Sequence, residues 1–354
     1  VPYYSVIGGW VIKYLVEYFR GNAKLLAEDG YFTDFISNGV STELCFVAFC
    51  AFTLIIIFAG VQNGIERVSK IMMPILIVLS VIIAVYSVTR PGALAGVKYF
   101  LVPNVKNFSW MTVVSAMGQM FYSLSIAMGI LITFGSYMKK DTAIEDSTRN
   151  VEIFDTGIAI MAGLMIIPAV FAFSGGDPDT LQAGPSLMFI TIPKVFQNMG
   201  FGTVIGIVFF LLVLFAAVTS SIALTESAVS TFEDELGWGR KKATVLVGVI
   251  MLALGSLSSL GYGPLAGIKI IGMQFLDLFD FLTNSVMMPI AALLTSLFVS
   301  RVVGIDKIEA EIIHGESAFR RKKVFVVMIK YLCPVFAIII LLSSVANALG
   351  WIKM

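Results

Sequence analysis

The residues of this chain that could do chemistry are mostly hydroxyls, glycines and single carboxylates set inside long apolar runs. In TVVSAMGQMFYSLSIAMGILITFGSYM, the residues Gln119, Tyr122, Ser123, Ser125 and Gly129 fall together. Ser123 and Ser125 flank Leu124, so one helical face cannot present both. Their spacing predicts an unwound stretch whose hydroxyls and carbonyls face a cavity, with Gly129 supplying backbone freedom. Close helix packing through small residues is the competing reading. Further on, Thr219, Ser220 and Ser221 stand consecutively in VTSSIALTES. Such hydroxyls, with helix carbonyls, offer a sodium ion neutral hard oxygens; back-bonding to the carbonyl four residues earlier is the alternative.

Three other features carry charge or strain. Asp155 lies one to two turns into an apolar run, where an ionisable group is costly and marks a functional position. The bland alternative is an interfacial carboxylate beside Arg149 and Glu152. Asp277 and Asp280 fit a vestibule or a solvated interface equally, and Glu226 is expected to face a polar interior. In GIERVSKIMMP, Pro74 removes a helical hydrogen bond and Gly64, separated from it by nine residues, makes local unwinding cheaper.

Composition says what must position these groups. Of 354 residues, 58% are hydrophobic and 13% charged, with a mean hydropathy of +0.92. Soluble domains carry about 25% charged residues, so this chain lacks the polar coat of a water-soluble surface. A net charge of +1 without a basic stripe excludes nucleic-acid binding. Cys45, Cys50 and Cys333 form no metal pattern and His314 is the single histidine, leaving no material for a zinc site or a His-based triad. No organic cofactor and no enzyme activity are expected.

The chain reads as one all-α transmembrane domain over residues 1–354. Nine apolar segments run at about 1–19, 42–60, 70–89, 109–137, 151–173, 201–232, 243–261, 271–300 and 324–349, each near the ~20 residues that a bilayer core requires. Barrel strands are shorter and alternate in polarity. Loops at 61–70, 138–150, 233–242 and 301–323 hold fourteen Lys and Arg; the other side holds eight, Lys353 among them. The richer side is cytoplasmic, which places the C-terminus outside a cell membrane with lipid as a partner. The opening VPYYSVIGGW has no basic region before it and is not a signal peptide; it reads as the inside of a helix belonging to a longer protein.

The chain resembles the neurotransmitter:sodium symporter family, bacterial branch, along its whole length. The resemblance is carried by YYSVIGGW at 3–10, GIERVSKIMMP at 64–74, GQMFYSLSIAMG at 118–129, FDTGIAIMAG at 154–163, TSSIALTES at 219–227, FEDELGW at 232–238 and FLTNSVMMPI at 281–290. It implies the leucine-transporter type of inverted-repeat bundle, with ligands held mid-bilayer by broken helices. The nine segments then correspond to the family's third to eleventh helices, the first two being absent.

By that resemblance, Tyr4 binds the substrate carboxylate and Tyr122 is an aromatic gate. Ser123 is both a substrate-site residue and a ligand of a first sodium. Asp155 stands beside it where many members have asparagine, and supplies negative charge. Ser125, Met128 and Leu224 are pocket wall. The Ala216 carbonyl and the Thr219 and Ser220 hydroxyls form a second sodium site, and Gly64 and Pro74 are a hinge. The implied function is sodium-coupled symport of an amino acid, hydrophobic or aromatic, by alternating access. The alternatives are a proton-coupled or exchange carrier of the same fold, and a non-transporting fragment or sensor.

Overall fold

A chain this apolar satisfies its backbone in hydrocarbon only through helices or closed barrels, and the computed structural model is helical. It describes residues 1–177, 181 and 184–351; Lys353, counted above on the outer side, lies outside them. The main helices are α1 (Pro2–Phe19), α2 (Gly39–Phe58), α3 (Val61–Val88), α4 (Ala93–Leu101), α5 (Trp110–Ser123), α6 (Ile130–Ser136), α7 (Ile144–Ser174), α8 (Gly202–Leu236), α9 (Arg240–Leu260), α10 (Phe275–Val303) and α11 (Lys322–Ala348). Local sequence sets several of their ends. Asn38 caps α2 by accepting from the Ser41 N–H at 3.1 Å. Ser109 and Thr112 form a reciprocal capping box at the start of α5. Gly237, in the left-handed region at φ 60°, stops α8.

Among the described residues, seven helices are long and apolar enough to cross a membrane: α2, α3, α7, α8, α9, α10 and α11. The two other predicted segments differ for physical reasons. Segment 1–19 is a full-length helix, α1, but it carries Ser5, Lys13, Glu17 and four tyrosines and is buried within protein. Segment 109–137 is interrupted between α5 and α6. The faces that the long helices leave uncovered are apolar, as with Leu44, Ile55, Ile71, Val78, Val85 and Leu342.

The helices fall into two compact units, Val1–Pro103 with Ile158–Leu276, and Asn104–Gly157 with Asp277–Met354. In the first, α1 is the hub, packing on α2, α8 and α9. Trp10, Tyr14 and Tyr18 are wholly buried there. Tyr14 stacks on Phe210 with centroids 5.3 Å apart, meets Phe189 edge-on at 5.0 Å, and donates its hydroxyl to the Phe189 carbonyl at 2.7 Å. Edge-on and offset rings gain about 0.5–1.5 kcal/mol per pair beyond area burial. In the second unit, α11 packs on α10 and on α5 around Phe121, Met288 and Ile340.

The α1–α2 crossing depends on Gly9. A Cβ there would lie 2.7 Å from the Phe46 nitrogen and 2.8 Å from the Cys45 carbonyl carbon, backbone atoms that cannot swing aside. Gly9→Ala is therefore expected to cost about 1–3 kcal/mol, read as a lower thermal midpoint in detergent. Gly118→Ala, where a Cβ meets nothing within 4 Å, is expected to leave the midpoint unchanged. Equal midpoints for Gly9→Ala and wild type would refute the close crossing.

Candidate functional site

The second unit contains the interrupted helix that the serine spacing predicts. α5 ends at Ser123, residues 124–129 are not helical, and α6 begins at Ile130. Ser125 (φ 54°) and Ala127 (φ 61°) adopt left-handed backbone that L-residues rarely take, and Gly129 (φ 79°) adopts it at no steric cost. Two strained non-glycine residues in one short stretch mark a conformation held for a purpose. The break releases backbone groups from the helical ladder, so carbonyls and hydroxyls become available to a ligand.

At the edge of the break the Ser123 hydroxyl donates to Asp155 Oδ1 at 2.5 Å. Asp155 reaches it from α7, about three turns from that helix's start at Ile144. A carboxylate and a hydroxyl in contact, next to a non-helical stretch of backbone, form a hard oxygen set with one negative charge. That set suits a monovalent cation and offers nothing to a thiophilic metal. No group of three or more His, Cys, Asp or Glu able to hold a metal occurs among the described residues. Met128 packs against the Phe121–Met288–Ile340 cluster, so it reaches apolar core. Tyr122 closes the last turn of α5 and is 38% exposed.

The first unit carries the other predicted residues. On α8, Ala216, Ser220 and Leu224 recur every four residues and Thr219 follows Ala216 by three, so they share one side. The Thr219 hydroxyl donates to the carbonyls of Phe215 and Ala216, both at 3.0 Å. This is the back-bonding alternative, realised, and it also fixes the Thr219 oxygen beside the Ala216 carbonyl oxygen. A hydroxyl that donates keeps its lone pairs for a cation. Ser220, exposed on the same face, comes within side-chain hydrogen-bonding reach of Tyr4 on α1. The structure thus joins Ser123 to Asp155 and Thr219 to Ala216, and brings Ser220 near Tyr4.

The predicted hinge is helical from Val61 to Val88, opening with a π-helical turn at Val61–Glu66. Gly60, at φ 88° and ψ 178°, takes a conformation open essentially to glycine. Gly64 presses against α2: a Cβ would lie 2.1 Å from the Ile56 carbonyl oxygen. Pro74 sits inside the helix and removes one of its hydrogen bonds. In this conformation Gly64 acts as a contact point between two spans.

Sequence reasoning left Glu226 without a partner. Its carboxylate is fully buried and is held fork to fork by Arg240, with Nη1–Oε1 3.0 Å and Nη2–Oε2 2.6 Å. Arg240 also donates to the Ile57 carbonyl at 3.0 Å and approaches Glu233 at 3.5 Å. The pair ties together α8, α9 and the end of α2. Nothing in the sequence pairs these residues, because the contact requires the chain to reverse between helices at Gly237.

With this geometry in hand, relatives become informative. The sequence profile of the sodium:neurotransmitter symporter family matches residues 14–351. An uncharacterized sodium-dependent transporter of Bacillus subtilis (strain 168), YhdH, is 34% identical over 349 residues, covering 98% of this chain and 76% of the relative. An uncharacterized sodium-dependent transporter of Haemophilus influenzae is 30% identical, covering 97% of this chain and 76% of the relative. Among solved structures, MhsT in complex with L-phenylalanine superposes with a TM-score of 0.83 at 34% identity, over 97% of this chain and 78% of that one.

The buried ion pair makes a stability forecast. Arg240→Leu strands the Glu226 carboxylate and is expected to cost about 3–5 kcal/mol, whereas Arg240→Leu with Glu226→Met is expected to cost less than the single change. Thermal midpoints of the two variants decide it; a double variant less stable than the single one would contradict the assignment.

Proposed function

We propose that this chain, which belongs to the sodium:neurotransmitter symporter family, acts as one transmembrane domain that carries an amino acid across the plasma membrane with sodium by alternating access. It is a multi-pass membrane protein of a transporter family, not of an enzyme family. The observation that carries the reading is the Ser123–Asp155 contact at the broken helix. A monovalent cation there meets one formal negative charge and several neutral oxygens, which balances its charge in a low-dielectric setting. The Ala216 carbonyl with the Thr219 and Ser220 hydroxyls serves a second sodium without net charge. Both ions travel as cargo.

Tyr4, beside Ser220, donates to the substrate carboxylate, and Tyr122 closes the outer side. Ser125, Met128 and Leu224 line the side-chain pocket. These walls are mainly apolar and Met adapts its shape, which supports a hydrophobic or aromatic amino acid. The solved neighbour that carries L-phenylalanine supports the same class. For release, the Gly64–Pro74 segment unwinds and admits water from the cytoplasm. Sodium drives the cycle because each ion favours the outward-facing state over the inward-facing one, and a ligand shifts an equilibrium only by that difference. The C-terminus lies outside, following the charge asymmetry of the loops.

A proton-coupled carrier is the second reading. The Glu226–Arg240 pair weighs against it, since a carboxylate engaged by two guanidinium hydrogen bonds is a structural tie. Asp155 is then the remaining proton carrier, and sodium-independent uptake with an acid optimum would favour this mechanism.

Two measurements test the proposal. Thr219→Ala combined with Ser220→Ala is expected to raise the sodium concentration for half-maximal uptake by at least about tenfold, equivalent to ~1.4 kcal/mol; an unchanged sodium dependence refutes the second ion site. In competition assays, unlabelled tryptophan or leucine is expected to inhibit uptake more strongly than glutamate or lysine. The opposite ranking refutes the apolar pocket.

A further inference from the structure

Outside the residues already assigned, one side-chain arrangement in the second unit joins two membrane spans at their cytoplasmic starts. α7 begins at Ile144 and is preceded by Ala143, which has no side chain able to cap it. Its first N–H groups are met from 170 residues away. Glu316 Oε1 accepts from the Glu145 N–H at 2.6 Å and from the Asp146 N–H at 3.2 Å. The two residues that lead into α11 are held from the other side. Arg321, immediately before it, offers no side-chain cap, and the Glu145 carboxylate accepts from the Arg320 N–H at 2.8 Å and the Arg321 N–H at 3.1 Å. Glu316 thus caps α7, and Glu145 on α7 ties down the backbone that leads into α11.

The contact is built closely. The Glu145 side chain is only 10% exposed. Gly315 leaves no room for a Cβ, which would lie 2.4 Å from the Thr142 carbonyl oxygen. Arg321 adds a guanidinium bond to Glu152 at 2.8 Å, one turn before Asp155. That carboxylate, then Glu145, pushes the Arg321 pKa above its ordinary value. A carboxylate at a helix N-terminus is favoured by the macrodipole as well as by the hydrogen bonds.

The two capped spans hold the two halves of one contact. α7 carries Asp155. α11 packs on α5, which ends in Ser123, through the Phe121–Met288–Ile340 cluster. We propose that Glu145 and Glu316 are positioning residues for the cation site: their reciprocal backbone hydrogen bonds fix the offset of α7 against the entry of α11, and so the Ser123–Asp155 contact. This rests on the reading of Ser123 and Asp155 as sodium ligands.

The test uses the full-length protein in proteoliposomes, with sodium-dependent uptake and hydrogen exchange read together. Glu316→Ala is expected to raise the half-saturating sodium concentration about five- to tenfold, as loss of a cap allows, with maximal uptake at saturating sodium kept within about twofold. Exchange across 145–157 is expected to quicken while exchange across 216–224 stays the same. Glu316→Gln, which keeps an acceptor oxygen, is expected to restore most of the sodium affinity, and Glu145→Ala with Glu316→Ala is expected to cost less than the sum of the single changes. Faster exchange at 145–157 with unchanged sodium half-saturation, while Asp155→Ala does shift it, overturns the positioning role and leaves the ion site standing. If Asp155→Ala leaves sodium dependence unchanged, the ion site falls and this inference falls with it.

Discussion

In hydrocarbon a backbone N–H or C=O has no water to turn to, and each one left unpaired costs several kcal/mol. That constraint organises this protein. It makes the long helices obligatory, and it makes the one interruption inside the predicted fourth apolar segment expensive. Residues 124–129 pass through left-handed backbone at Ser125, Ala127 and Gly129. A chain keeps such a stretch where the released oxygens have work. Here that stretch follows directly on Ser123, whose hydroxyl meets Asp155, and the proposed cation would give its oxygens a partner.

The same economy governs the carboxylates. Glu17 is met by Lys13 and Asn22, Glu226 by Arg240, and Glu145 by two backbone N–H groups. These are charged or strongly donating partners, and each fastens one helix or turn to another. Asp155 is met by a serine hydroxyl. A hydroxyl offers one hydrogen bond and brings no compensating charge, so Asp155 retains electrostatic attraction for a cation. The contrast supports the cation-binding role proposed for Asp155 and a structural role for the others.

Much of this was legible in the sequence. Apolar length alone marks the spans, because bilayer thickness sets it. The broken helix shows in the Ser-Leu-Ser spacing with Gly129, because a helix cannot place both hydroxyls on one face. Less legible was which predicted span would be a buried hub: α1 has the length of a membrane helix, and Tyr14, Glu17 and Tyr18 are buried within protein. The Gly64–Pro74 segment reads as a hinge; in this conformation it is helical, and the absent Cβ of Gly64 lets it lie against the Ile56 carbonyl, a contact that spacing alone does not reveal. Pairings across long sequence distances, Glu226 with Arg240 and Glu145 with Arg320, leave no mark in periodicity. They depend on which helices become neighbours.

The account stands or falls on sodium coupling. The most direct measurement is uptake of a labelled apolar amino acid into proteoliposomes carrying the full-length protein, with an inward sodium gradient and the membrane potential clamped. The account predicts accumulation above the external concentration that collapses when an ionophore dissipates the sodium gradient and persists when only the proton gradient is removed. Accumulation that ignores sodium and follows the proton gradient would contradict it.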